Sequence, residues 1–334
     1  MTPAAVLTEH PFAPFIRILG KGRQGSRSLS AEEAEAAMYQ VLTGQAESIQ
    51  VGAFLMLMRI KEETGEELAA FVRAARRTLD TPAGTRPGLD WPSYAGKRRQ
   101  LPWFVLSALL VAQHGIPVCL HGTAGFDPQR VFVPQALAAL GISEASSLSD
   151  AQARLESQRF AFIRLANISP ALENMLQLRA LLGLRSPVHS LLRMLNPLNA
   201  SASLTGIFHP GYRDIHQEAA EQLDLQRFTV FKGEGGEAER TPDGPTLIKS
   251  VIAHKATEAQ WPALLDKRAL KDETMDVRRL LAVWRGEVND AYGEAAIVGT
   301  AGVALWTAGA AASPEAADAL AQTLWAQRSV TLPR

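Results

Sequence analysis

Residues 105–122, VLSALLVAQHGIPVCLHG, decide the fold, because they join a helix signal to a strand signal through Gly115. The first half is apolar enough for a buried helix, and glycine is typical of a helix end. The short apolar segment IPVCLHG that follows is typical of a buried strand. Strand signals recur between helical stretches further along the chain, in RFAFIRLAN, SLTGIFH and RFTVFKG. This alternation predicts an α/β domain around a mostly parallel sheet.

The chain before this region shows helical patterns alone. Ser30 followed by Glu33 forms a capping box, which predicts a helix that starts there and ends near Gly44. Apolar residues then recur every three or four positions in QVGAFLMLMRI, which predicts a buried helix, and again between residues 66 and 79. These patterns predict a small helical domain.

Proline, glycine and a long helical pattern suggest the domain boundaries. The segment 81–99, TPAGTRPGLDWPSYAGKRR, predicts a boundary followed by a loop. Residues 167–195 show a helical pattern longer than a crossover between strands needs, so we expect this segment to rejoin the first helical unit. The predicted division is a helical domain of residues 1–82, joined by about 170–196, and an α/β domain of residues 83–169 and 197–334.

Length and composition indicate a globular chain without a strong overall electrostatic field. The 334 residues are 47% hydrophobic, and 34 basic residues balance 34 acidic ones. A net charge of zero removes any whole-molecule attraction to nucleic acid or anionic membranes, so binding of a polyanion has to be local. Two apolar stretches, 101–120 and 295–312, contain proline, polar or small residues, and we expect buried core elements there rather than membrane spans.

The single cysteine, Cys119, excludes an intramolecular disulfide and any zinc site built on cysteine pairs. The N-terminus lacks the basic start and apolar run of a signal peptide, so we expect a reducing cytoplasm. The seven histidines form no close pair at metal-ligand spacing, and no Gly-x-Ser-x-Gly elbow marks a serine nucleophile.

Basic residues cluster in spite of the balanced total. Seven of them stand between residues 73 and 99, and the last three are flanked by Tyr94 and Trp103. Cations beside aromatic rings suit phosphate contacts with base stacking, although solvated helix faces and turns show the same pattern. The cluster comprises Arg73, Arg76, Arg77, Arg86, Lys97, Arg98 and Arg99.

A glycine-rich loop, residues 20–27, adds Lys21, Arg23 and Arg27 ahead of a helix start. Its glycines let the backbone approach a ligand, and its cations can neutralise phosphate. The loop lacks the Gly-Lys-Ser/Thr ending of a P-loop, and no strand signal precedes it.

Two further places offer chemistry at the predicted ends of strands. His121 follows the strand IPVCL, at the edge where α/β sheets bind ligands, and a structural hydrogen-bonding role is the alternative. The segment 232–239 follows the strand FTVF and carries three glutamates, which could hold magnesium through carboxylate oxygens or form an acidic turn.

Taken in order, five segments resemble the anthranilate phosphoribosyltransferase fold family of glycosyltransferases, a fold shared with the pyrimidine nucleoside phosphorylases. They are KGRQGSRSLSAEEA, His121-Gly122 after its strand, PQALAALGI, Arg179 with LLGLRSPVHSLLRMLNPLNAS, and FKGEGGEAER. The resemblance covers nearly the whole chain. It implies a small helical domain, a larger α/β domain and a homodimer formed largely through the helical domains.

The chain departs from this family at the substrate loop. The enzymes bind phosphoribosyl pyrophosphate with a Gly-Thr-Gly-Gly-Asp loop and hold magnesium with an Asp-Glu pair. The matching positions here are residues 93–97, SYAGK, and Glu237-Ala238. The Asn-Arg that follows His-Gly in the enzymes is Thr123-Ala124, whereas Arg179 matches the arginine that faces the acceptor. The resemblance therefore implies a degenerate transferase site.

Three features are similar to those of the YbiB-type branch of the family. They are Pro-Ser-Tyr-x-Gly beside basic residues, His-Gly after Pro-Val, and a basic N-terminal loop. Members of that branch are understood to keep the fold and the dimer and to bind nucleic acid without sequence preference. The resemblance implies a homodimer that binds DNA or RNA along a basic groove, without a cofactor. The groove would comprise Lys21, Arg23, Arg27, Arg73, Arg76, Arg77, Lys97, Arg98 and Arg99.

The alternative is an active phosphoribosyltransferase that uses magnesium with phosphoribosyl pyrophosphate and an unidentified acceptor. Such enzymes act by positioning and charge stabilisation, so a covalent nucleophile is not required. A third hypothesis is a dimer that only scaffolds, with its basic residues scattered in space. In the transferase hypothesis, Lys97, Arg98 and Arg99 hold the pyrophosphate, Glu234 and Glu237 hold magnesium, and His121 and Arg179 orient the acceptor.

Overall fold

Helices form the N-terminal part of the chain in the computed structural model, which describes residues 8–22, 24–125 and 127–333. They are α1 (Ala13–Gly20), α2 (Ala31–Leu42), α3 (Ser48–Lys61) and α4 (Gly65–Arg77). The predicted capping box is confirmed. The Glu33 N–H donates to Ser30 Oγ at 3.3 Å, and the Ser30 N–H donates to a Glu33 carboxylate oxygen at 2.9 Å. Because backbone donors are satisfied at the first turn, α2 begins where the pattern predicts.

A sheet follows, with the strand order β3-β2-β1-β4-β5-β6-β7. The first five strands along the chain pair in parallel, and β6 and β7 add an antiparallel edge. The predicted α/β fold with a mostly parallel sheet is therefore confirmed. The strands are β1 (Leu89–Ser93), β2 (Val118–Gly122), β3 (Phe160–Arg164), β4 (Ser203–Ile207), β5 (Arg227–Lys232), β6 (Thr246–Ile252) and β7 (Lys255–Trp261).

Helices cover both faces of the sheet and enclose two apolar cores. The first core joins the N-terminal helices to the segment 165–198, and the second includes the apolar stretches 101–120 and 295–312, as predicted. Among the described residues, every helix is too short or too polar to span a membrane. The remaining helices are α5 (Phe104–Gln113), α6 (Val133–Leu140), α7 (Leu148–Gln158), α8 (Leu165–Ile168), α9 (Pro170–Gln177), α10 (Arg179–Leu182), α11 (Val188–Leu192), α12 (Tyr212–Gln222), α13 (Arg278–Trp284), α14 (Ala291–Ala308) and α15 (Pro314–Gln327).

The expected loop within residues 81–99 contains a strand, β1, which lies at the middle of the sheet between β2 and β4. Proline is typical of edge strands, because it has no N–H to donate. Pro92 is tolerated here because β1 pairs with β4 only at Asp90 and Ser203. The Asp90 N–H points toward β4, and Pro92, two residues on, faces the same side beyond the end of that pairing.

Two helix predictions need correction. The pattern at 167–195 forms four short helices instead of one long run, with breaks at Pro170, at Gly183, whose φ is 70°, and at Pro187. The predicted buried helix α3 buries Phe54, Leu55 and Met58 but leaves other apolar side chains exposed. The predicted division into domains stays a prediction, although α11 does pack against α4.

Candidate functional site

The candidate site lies at the carboxyl ends of the parallel strands, where the loops after β1, β4 and β5 meet. The Gly233 N–H donates to the Ile207 carbonyl at 3.1 Å, which joins the loops after β4 and β5. Open α/β sheets bind their ligands at this edge. The N-terminal helices α1–α4, which we call the helical unit, approach this edge. Arg59 on α3 and Glu63 after it line a cleft against the loop after β4.

Backbone donors of the loop after β1 are bound by a carboxylate of the chain itself. Glu237 Oε1 accepts from the Ala95 N–H at 2.7 Å and from the Gly96 N–H at 2.5 Å. The Glu237 side chain is 1% exposed, so these bonds are shielded from water. The loop that matches the pyrophosphate loop of the enzymes therefore has both of these amides occupied.

Lys97 is enclosed by carboxylates and does not reach solvent. Its Nζ lies 2.5 Å from Glu239 Oε1 and 2.8 Å from Glu234 Oε2, and its side chain is 0% exposed. Burial opposes the charge, but the two carboxylates outweigh burial and raise the pKa of Lys97. Glu239 Oε2 also accepts from the N–H of Phe104, the first residue of α5, at 2.9 Å. In this arrangement Lys97 has carboxylates where the predicted nucleic-acid groove or pyrophosphate site would place phosphate, and phosphate contact by Lys97 stays a prediction.

The side chains predicted to hold magnesium do not fit that ion as they are placed. Glu234 pairs with Lys97, and Glu237 Oε1 is taken by the amides of Ala95 and Gly96. Over residues 8–22, 24–125 and 127–333, no three His, Cys, Asp or Glu side chains form a cluster that could hold a metal ion. Magnesium needs several oxygen ligands at close range. Glu234 pairs with Lys97, and the one buried oxygen of Glu237 without a hydrogen-bond partner in the described part of the chain, Oε2, does not supply such a set.

His121 and Arg179, the predicted acceptor residues, lie in different surroundings. His121 is 0% exposed, and its Nδ1 lies 2.7 Å from the Tyr94 hydroxyl. Its Nε2 lies 3.1 Å from Asp90 Oδ1 without the alignment of a hydrogen bond. Arg179 is exposed on α10. The structural role weighed for His121 fits its burial, whereas Arg179 stands at an exposed position.

A cavity of about 90 Å³ lies between the helical unit and the loop after β4. Three arginines reach it, Arg59 from α3 and Arg185 and Arg193 from the two sides of α11, and we call it the arginine pocket. Its volume suits one small anionic group. The lining residues are Arg59, Glu63, Arg185, Ser186, His189, Ser190, Arg193, Ile207, Phe208, His209, Tyr212 and His216.

Positive charge in the arginine pocket is only weakly compensated. Burial, followed by repulsion from Arg193, Arg179 and Arg130, lowers the pKa of Arg185 to about 10. Within the described part of the chain, Arg185 makes no ion pair. Burial, and then the charges of Arg193 and Arg185, lower the pKa of His189 to about 3. A pocket that depresses the pKa of its own cations is suited to an anion.

The remaining polar groups hold the pocket in shape. Arg193 donates to the carbonyls of Gly206 at 2.8 Å and His189 at 2.7 Å, so backbone rather than carboxylate orients its guanidinium. Glu63, the one acid in the lining, accepts from the Ser190 hydroxyl at 2.5 Å, and burial raises its pKa.

Sequence reasoning missed the arginine pocket, although the chain carries a signal for it. Arg185, His189 and Arg193 recur every four residues in an otherwise apolar segment, which places three basic groups on one side of a helical turn. Arg59 could not be found this way, because α3 approaches the segment only through the tertiary fold.

Several cations of the predicted groove are paired with carboxylates. Arg27 lies 2.6 Å from Glu33, and Arg73 and Arg77 share Glu35 at 3.1 and 2.8 Å. Each of these carboxylates reduces the local positive charge. The part of the groove near α2 and α4 is therefore weaker than the sequence predicts.

Other predicted groove residues have different environments. Arg76 is half-buried and donates to the carbonyls of Met194 at 3.0 Å and Leu195 at 2.8 Å, so it anchors the segment after α11. Lys21 is exposed at the end of α1, and Arg23 lies outside the described residues. A structural role accounts for Arg76 without a ligand.

Arg98 and Arg99 are exposed, unlike Lys97 beside them. Arg99 lines a second cavity of about 430 Å³ at the end of β5, together with the cations Arg213, Lys232 and Arg268. Phe208, which is 49% exposed, lines both this cavity and the arginine pocket. The two cavities therefore adjoin along the loop after β4.

The fold is that of a phosphoribosyltransferase-like protein. Residues 14–79 match the helical bundle domain of the glycosyl transferase family, and residues 105–327 match the a/b domain of that family. The chain therefore belongs to this glycosyl transferase family, and the resemblance to anthranilate phosphoribosyltransferases is confirmed.

Named relatives and solved structures agree with this assignment. An anthranilate phosphoribosyltransferase of Synechococcus sp. (strain CC9311) is 30% identical over 293 residues, 84% of this chain and 83% of the relative. The uncharacterized protein YbiB of Escherichia coli (strain K12) is 29% identical over 206 residues, 60% of this chain and 64% of that protein.

Among solved structures, the anthranilate phosphoribosyltransferase of Thermus thermophilus aligns with a TM-score of 0.80 and 24% identity over 95% of each chain. The Saccharomyces cerevisiae enzyme in complex with PRPP and Mg aligns with a TM-score of 0.76 and 16% identity, over 96% of this chain and 95% of that one. At these identities the two structures establish the shared fold.

Proposed function

We propose that the chain is a phosphoribosyltransferase-type protein that binds the phosphate groups of its ligand with arginines of the cleft and without magnesium. The observation that carries this proposal is the arginine pocket, in which the partly buried Arg185 has no carboxylate partner among the described residues. Family membership supplies the ligand class, a phosphoribosyl compound, and the acceptor is unidentified.

Guanidinium groups can take the part that a metal ion plays in binding phosphate. Arginine presents paired N–H donors that match two phosphate oxygens, and it stays charged at neutral pH. Arg193 is held by two backbone carbonyls, so its orientation is set before a ligand arrives. Preorganised cations of this kind stabilise charge that develops on a leaving group, which is the main demand of phosphoribosyl transfer.

Thermal unfolding with and without ligand tests the proposal. We expect phosphoribosyl pyrophosphate to raise the melting temperature equally with magnesium and with a chelator present, because the pocket binds the free anion. Arg185→Ala should weaken binding by about 2 kcal/mol, roughly thirtyfold. Arg278→Ala is the matched control, since Arg278 is 85% exposed and pairs with Asp276.

The results separate the hypotheses clearly. Stabilisation that requires magnesium, or that survives Arg185→Ala unchanged, would contradict binding by arginines. Absence of any shift with phosphoribosyl pyrophosphate or inorganic pyrophosphate would remove the transferase assignment and leave the other two hypotheses.

A second candidate function, nucleic-acid binding, is favoured by the exposed cations around the second cavity. Arg99, Arg213, Lys232 and Arg268 line this cavity together with the half-exposed Phe208. Arg98 is exposed next to Arg99 in the sequence. Phosphates on these cations and bases on the ring would reproduce the usual pattern of single-strand binding. In this proposal, binding needs no cofactor and no sequence preference.

Fluorescence anisotropy of a labelled single-stranded oligonucleotide at two salt concentrations tests the second candidate. Counterion release predicts a log–log slope of about 0.7 for each phosphate that is neutralised. The double substitution R98A/R99A should weaken binding to every sequence and reduce that slope. Unchanged binding by the double variant, or none at low salt, would exclude this surface and favour the first candidate or a scaffold.

A further inference from the structure

The loop after β1 has the features of an anion site. Gly96 has a φ of 67°, in the left-handed region, and the successive N–H groups of Ala95 and Gly96 converge on one oxygen atom. Converging backbone donors of this kind form concave sites that bind phosphate or carboxylate. The atom at this point belongs to Glu237, which is 141 residues away from Gly96 in the sequence.

The α5 N-terminus and the neighbouring ammonium group are occupied in the same way. Glu239 Oε2 accepts from the Phe104 N–H at 2.9 Å, and Glu239 Oε1 pairs with Lys97 Nζ at 2.5 Å. Lys97 holds Glu234 as well. Donors that would suit a bound anion are therefore satisfied by carboxylates from the single segment 234–239.

Packing fixes this segment against the strand ends. A side chain at Gly206 or at Gly233 would overlap the backbone of Glu237, so both positions require glycine for the close approach. The second carboxylate oxygen of Glu237, Oε2, is buried and has no hydrogen-bond partner among the described residues. The negative charge of Glu237 is felt by Arg193 and Arg185 of the arginine pocket. Glu237 thus stands between the loop and the pocket.

We propose that Glu237 and Glu239 are internal counter-anions that close the loop after β1 to phosphate. The chain supplies its own carboxylates where an exogenous anion would bind, and Glu237 is the residue whose removal reopens the loop. This inference does not depend on what the arginine pocket binds. It explains why the magnesium ligands expected from the resemblance are committed to other groups in this chain.

The test uses inorganic pyrophosphate and full-length protein that carries Arg185→Ala, so that signals from the arginine pocket are reduced. Selectively labelled alanine and glycine amides report on Ala95 and Gly96 by NMR. In this parent, we expect pyrophosphate to leave both resonances unmoved. With Glu237→Ala added, the two amides have no internal acceptor. We then expect added pyrophosphate to shift both resonances, and the affinity for pyrophosphate to rise by at least about tenfold.

Glu237→Gln is the matched control, because its amide oxygen can still accept from both N–H groups. We expect it to resemble the parent. The proposal is overturned if pyrophosphate shifts Ala95 and Gly96 in the parent, or if folded Glu237→Ala leaves them unmoved. Should Glu237→Ala fail to fold, the parent and Glu237→Gln still decide the matter, since unmoved amides in both support a closed loop and shifted amides in either contradict it.

Discussion

The Ser190 hydroxyl donates a 2.5 Å hydrogen bond to Glu63 Oε1, across 127 residues of sequence. Glu63 lies between α3 and α4, and Ser190 lies within α11, so this bond ties the helical unit to the wall of the arginine pocket. Both side chains are buried, which shields the bond from water. The shape of the pocket therefore depends on a contact between distant segments.

Replacing Ser190 by alanine should destabilise the protein. The Glu63 carboxyl would lose its donor while it stays buried, and such a loss is worth about 1–3 kcal/mol. Urea unfolding measures the change in the free energy of unfolding. Ser157→Ala is the control, because the exposed Ser157 bonds only to carbonyls of its own helix. Equal stability of the two variants would contradict a structural role for the Ser190 bond.

His189 should make the protein sensitive to acid. Burial is the main cause that lowers its pKa to about 3 in the folded protein, and the charges of Arg193 and Arg185 add to it. An unfolded histidine has a pKa of about 6.5. The unfolded state therefore takes up a proton first. The stability due to neutral His189 is complete above about pH 6.5 and declines as the pH falls toward the folded value.

Urea unfolding at about pH 7 and about pH 4.5 checks this dependence. We expect His189→Asn to lose less stability between the two conditions than the wild type, by a few kcal/mol at most. His114→Asn, at an exposed position, should follow the wild type. If His189→Asn has the same pH dependence as the wild type, His189 is not the group responsible.

Lys97 should be essential for stability rather than for ligand binding. Lys97→Met keeps the length of the side chain but leaves Glu239 and Glu234 without their cation. Removing one member of a buried ion pair is destabilising by about 3–5 kcal/mol, and adding Glu239→Gln should restore part of the loss. Thermal unfolding measures both effects. Arg98→Met, at the exposed neighbouring position, should stay within about 0.5 kcal/mol of the wild type; a similar loss in both variants would refute the ion-pair explanation.

We also propose that the chain forms a homodimer through its helical unit. Ile49 and Ile60 on α3 are 81% and 82% exposed, and a spacing of three helical turns places them on one face. An exposed apolar helix face is typical of a protein interface. Light scattering after gel filtration should give a dimer for the wild type and a monomer for the double substitution I49E/I60E. The same double change at Leu181 and Leu184, which are exposed on and after α10, is the control; a monomeric wild type would contradict the proposal.

Local patterns determined the parts of the fold that depend on neighbours in sequence. The capping box at Ser30 and Glu33 set the start of α2, and the glycine after α5 separated a helix from a strand. The strand β1 was not predicted. Pro92 is unfavourable in a central strand unless the pairing with β4 is known to end before it. Alternation of helices and strands was enough for the α/β class, because it restricts the ways in which the elements can pack.

The tertiary structure alone decided the chemistry of the site. Three consecutive cations, Lys97, Arg98 and Arg99, look equivalent in the sequence, yet only the fold brings Glu239 and Glu234 to Lys97. Side-chain charge is encoded locally, but its partner is chosen by packing between segments more than a hundred residues apart. For the same reason, only the tertiary fold leaves Arg185 without an ion pair among the described residues and places Glu237 on the loop amides.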